Sequence, residues 1–150
     1  MTPEVLRVID ANFNRAREGL RVCEDVTRFI LNAQDISREL KSIRHAISRM
    51  TKTELARPIT LCGARDAKND VGRALKAHRQ MRRSDYADIF AANIERVKES
   101  LRVLEEFFAL TDARASRTFS RLRYKTYDVE KRALARIAAL RNPRPGKRAR

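Results

Sequence analysis

The strongest chemical signal in this 150-residue chain is a crowd of cations. Arg57, Arg65, Lys68, Arg73, Lys76, Arg79, Arg82 and Arg83 oppose only Asp66 and Asp70 within residues 57–84. Charge this dense makes the stretch a candidate anion site. Gly63 and Gly72 bracket its middle and can present bare backbone N–H groups, while Asp66 and Asp70 could hold a magnesium ion, which takes one or two protein carboxylates and completes its shell with phosphate and water. The alternative is a solvated basic loop.

A second set is periodic. Arg15, Glu18, Arg21 and Glu24 alternate in sign every third residue, and Arg96, Glu99, Arg102 and Glu105 repeat the pattern. Such ladders make solvated ion pairs worth about 0.2 to 0.5 kcal/mol each, the expected role of Arg21, Glu24 and their repeats. Asn12 and Asn93 differ, since each falls within about 50° of the centre of an apolar stripe on a helix of 3.6 residues per turn. A half-buried amide must find partners or cost about 1 to 3 kcal/mol. Both are expected to link helices by hydrogen bonds, or else to face a polar cavity together with their neighbours Arg15 and Arg96.

The elements that carry these groups are helices. Val5, Ile9, Phe13, Ala16, Leu20, Cys23, Thr27 and Ile30 keep one stripe, predicting a long helix over 3–31 with Pro3 in its first turn. A shift of 81 residues reveals a second copy, with eight of the fifteen positions 11–25 identical to 92–106. The following segments repeat at a shift of 79, where Leu40, Ile43, Arg44 and His45 answer to Phe119, Leu122, Arg123 and Tyr124. Asp35 and Asp112 are expected to cap these second helices, and Ser84 or Asp85 the third long one. The fold expected is all-α, a duplicated helical hairpin in a pseudo-twofold bundle with one unduplicated connector, in which 73–82 form a short helix.

Composition sets the limits. Lys and Arg number 34 against 19 Asp and Glu, a net charge of +15. Five of those positive charges fall among residues 141–150, so the preceding body still carries +10. One domain is expected over 1–141, with 142–150 a disordered basic tail. Apolar runs of no more than four residues exclude a membrane span or a signal-peptide core, and two cysteines suit a reducing cytoplasm. No P-loop, dinucleotide fingerprint, protein-kinase signature or nucleophile elbow is present.

Taken together, Ile9-Asp10-Ala11-Asn12, Arg15, Glu18-Gly19-Leu20-Arg21-Val22, Glu24-Asp25, Arg28-Phe29, Leu40-Lys41, Ile43-Arg44-His45, Ala64-Arg65-Asp66, Asp70-Val71-Gly72, Ala92-Asn93, Arg96-Val97, Glu99 and Leu101 to Phe107 form a specific string. It resembles the helical domain that precedes thiamine-phosphate synthase in many bacterial fusion proteins, a family assigned as a monofunctional hydroxymethylpyrimidine-phosphate kinase. The resemblance runs from about residue 6 to 131. No (β/α)₈ synthase barrel accompanies the domain here, so synthase activity is not carried over.

The resemblance implies a phosphotransferase that moves the γ-phosphoryl of ATP, with Mg2+, onto 4-amino-5-hydroxymethyl-2-methylpyrimidine phosphate, giving the diphosphate used for thiamine. A phosphate monoester is already largely ionised at neutral pH, so such a transfer needs positioning and charge stabilisation more than a base. In that reading Arg65 clamps phosphate oxygens, Asp66 or Asp70 holds the metal, and Gly72 lets backbone come close. Arg15, Glu18, Arg96 and Glu99 line the adjoining wall, oriented by Asn12 and Asn93. Two other readings compete. One is a non-catalytic partner domain of thiamine-phosphate synthase. The other is a basic nucleic-acid binder, disfavoured because 57–83 hold no aromatic residue on which a base could stack. Small phosphates are thus the expected ligands, and oligomers are possible.

Overall fold

A computed structural model describes residues 1–52, 57–72 and 83–141. The short helix expected over 73–82 and the tail 142–150 lie outside the described residues. Five α-helices appear and no strand among them: α1 (Pro3–Asp25), α2 (Gln34–Met50), α3 (Pro58–Gly63), α4 (Tyr86–Ala109) and α5 (Ala113–Arg141). The all-α expectation holds. α1 packs against α2, α3 and α4, while α5 packs against α4 and α2, which leaves α1 and α4 as the central pair.

Burial follows the stripes. Ile9, Phe13, Ala16, Leu20, Cys23 and Thr27 are all buried, as are Phe90, Ile94, Val97, Leu101, Leu104 and Phe108. Phe13 sits edge-on to Phe108 and Phe119, so one aromatic cluster ties α1, α4 and α5 together. Ile30 breaks the stripe. Val26–Ile30 form one π-helical turn, closed by Leu31 N–H donating to the Val26 carbonyl at 3.1 Å. The extra residue per turn rotates the face, exposing Ile30 and burying Leu31 in its stead.

The helix starts differ in how they are closed. Asp85 caps α4 by accepting from the Ala87 and Asp88 N–H groups, and Asp112 caps α5 by accepting from Arg114 and Ala115 at 2.9 Å each. Asp35 does not cap α2. The helix begins two residues earlier than that cap would place it, with Ala33 at the cap position and no side-chain acceptor there, because Asn32 takes a left-handed φ of 49° that ends the turn. At the centre, a Cβ on Gly19 would lie 2.8 Å from the Asn93 carbonyl oxygen and 2.9 Å from Val97 Cγ2. Only glycine permits α1 and α4 to approach this closely.

Candidate functional site

The connector meets α1 at a cleft of about 560 Å³. Five of the candidates named above come together on its wall: Asn12, Arg15, Arg65, Asp66 and Asp70. Glu4, Arg7 and Asp10 join them from α1. Asp10 is the residue that sequence reasoning passed over as a site candidate. It is buried, and its carboxylate accepts from Arg65 Nε at 2.5 Å and from the second guanidinium nitrogen at 2.9 Å, a bidentate pair. These hydrogen bonds, with the carboxylate charge beside them, raise the Arg65 pKa above its ordinary value. One signal was available: Asp10 corresponds to Ala91 in the second copy, an acidic residue added where the duplication is broken.

The pairing changes what the cleft can do. Arg65 has already spent its planar fork on Asp10, and Arg7 lies 3.5 Å from Asp66. Asp66 also accepts from Asn69 Nδ2 at 3.0 Å through both oxygens, and Asp70 accepts from the Gly72 N–H at 2.9 Å. Both aspartates therefore close their own loop, and among the described residues no group of three or more His, Cys, Asp or Glu gathers to hold a metal ion. Four carboxylates (Glu4, Asp10, Asp66, Asp70) face three guanidinium groups (Arg7, Arg15, Arg65), so the lining is not a cationic trap for a polyanion. Arg15 alone among the three has no ion pair with a described residue.

The remaining candidates lie elsewhere. Glu18, Arg96 and Glu99 are exposed, Asn93 and Gly72 are half-buried, and none of the five lines the cleft. The two asparagines do not link helices. Asn12 Nδ2 donates to the Val8 carbonyl and Asn93 Nδ2 to the Ile89 carbonyl, both at 2.8 Å, because the carbonyl one turn back is within reach of each. Glu24 and Glu105 make the expected ladder pairs with Arg21 at 3.8 Å and Arg102 at 3.0 Å, but they are not merely solvated charges. Glu24 is only 5% exposed and holds Arg44 of α2 in a bidentate pair, while Glu105 holds Arg123 of α5 at 3.0 Å. The pairing raises the pKa of both arginines. These matched pairs pin each second helix to its first.

Residues 7–132 match the model of the ThiD2 family. The thiamine-phosphate synthase of a Synechocystis strain is 39% identical over 126 residues, covering 84% of this chain and 35% of that protein. That of a Synechococcus strain is 42% identical over 132 residues (88% and 36%), and that of Rhodopirellula baltica 34% over 140 residues (91% and 36%). The chain thus spans about a third of the length of the curated relatives it matches. No solved structure matches it. The expected hydroxymethylpyrimidine-phosphate kinase is corrected by these relatives, which are named for thiamine-phosphate synthase, a different enzyme.

Proposed function

Because this chain belongs to the ThiD2 family, whose model covers residues 7–132, we propose that it serves thiamine biosynthesis as the helical partner domain of a thiamine-phosphate synthase. The observation that carries this reading is the overlap itself. Nearly the whole domain aligns with about a third of each synthase, so in those proteins the domain shares a polypeptide with the rest of the enzyme.

The geometry supports a supporting role over a second catalytic centre. Glu24 with Arg44 and Glu105 with Arg123 hold helices together, and Arg65 is held by Asp10 against α1. Charged groups committed to such pairs build a rigid platform. On it, the cleft around Asn12 and Arg15 remains open to a small polar ligand or a partner side chain. The test is to add the chain to a thiamine-phosphate synthase that lacks a matching helical domain and follow thiamine phosphate formation. We expect the rate or substrate affinity to change at saturating chain, and the change to be reduced by Arg15→Ala. A synthase indifferent to the chain at every ratio would count against the reading.

A further inference from the structure

A second cleft, of about 430 Å³, opens where the π-helical turn meets the start of α2. Its lining is Arg28, Asn32, Gln34, Ser37, Arg38 and Lys41: three cations and no carboxylate. None of the three cations forms an ion pair with a described residue; Arg28 instead stacks 4.8 Å over the exposed ring of Phe29. Three like charges facing one cavity repel each other until a counter-charge enters. This is the reverse of the Asp10–Arg65 cleft, where every guanidinium but one is answered by a carboxylate.

The second copy supplies an internal comparison. There the Asp112 carboxylate closes the start of α5. At the shift of 79, Asp112 corresponds to Ala33, and Lys41 to Ser120; at the shift of 81, Arg28 corresponds to Ala109. At the positions that match the first copy's three lining cations, the second copy keeps only Arg117. We infer that the first copy's cleft binds a small phosphate-bearing anion, a phosphomonoester or a diphosphate. The arginine forks of Arg28 and Arg38 and the ammonium of Lys41 would take its oxygens, with Ser37 and Asn32 donating beside them. The volume suits a small molecule, and the cations converge on one cavity instead of tracking along a strand, as they would for nucleic acid. The inference does not depend on the synthase partnership.

The test is calorimetric titration of the full chain with inorganic phosphate and with pyrophosphate at low salt. Binding at one site is expected, weakening as salt is raised. Arg38→Gln and Lys41→Gln alter exposed side chains and leave the fold intact; each should weaken binding by about tenfold, the effect of losing one charge-assisted contact. Arg117→Gln, at the position matching Arg38 in the second copy, should change nothing. Absence of heat with both anions, or binding that survives the double variant Arg38→Gln/Lys41→Gln, overturns the inference. So does binding of single-stranded RNA by a chain that ignores both phosphate and pyrophosphate.

Discussion

The first helix pair and the second hold their frames by the same bonds but differ at their rims. Glu24–Arg44 and Glu105–Arg123 recur, as do the asparagine bonds to Val8 and Ile89 and the apolar stripes. The copies diverge beside the clefts: Asp10 against Ala91 at the connector, and Arg28 and Lys41 against Ala109 and Ser120 near the start of α2. The groups that recur in the sequence repeat are thus those that tie the helices together, while the rims differ.

The sharpest way to break this comparison is to attack the shared frame. Glu24→Ala leaves the Arg44 guanidinium, side chain 22% exposed, without its buried partner and should cost about 3 kcal/mol in denaturant unfolding. Glu105→Ala should cost less, because Arg123 keeps its bond to the Tyr127 hydroxyl at 2.9 Å. Equal and negligible losses would mean that the pairs are incidental to stability. The helix crossing is next. Gly19→Ala pushes a methyl into the Asn93 carbonyl and should cost about 2 kcal/mol, whereas Ser100→Ala at the matching position should be close to neutral. Chemical denaturation of both variants reads the difference directly.

Smaller effects sharpen the contrast at the rims. Asp112→Ala removes the cap of α5 and should cost about 1 kcal/mol, making the second copy resemble the first, whose helix α2 already starts without a side-chain cap. The two cysteines differ without any change in stability. Burial first, then the charges of Glu130 and Glu24, push the Cys23 thiol pKa up, so it stays protonated as pH rises through the usual thiol range. Cys62 is exposed, and a disulfide reagent at mildly alkaline pH should modify it quickly while Cys23 reacts only on unfolding.

Much of this was legible in the residues. The stripes located α1, α2, α4 and α5, because burial of one helix face leaves a 3.6-residue period in sequence; Asp112 was legible as a cap, and Asp85 as one of two candidates with Ser84. Asp35 misled because the chain turns at Asn32, and a left-handed backbone at a non-glycine residue leaves little trace in composition. Five site candidates converge on one cleft, yet its chemistry was not readable. Whether Arg65 faces solvent or a buried carboxylate depends on a contact spanning 55 residues, which no local pattern encodes. Glu24 was hidden for the same reason, since its partner lies on another helix.

The partnership with a synthase is tested most directly by sedimentation velocity on the chain mixed with a thiamine-phosphate synthase that lacks a matching helical domain. A faster boundary containing both proteins is expected, one that grows with concentration and weakens with Arg15→Ala. Two boundaries that sediment independently at every concentration would contradict it.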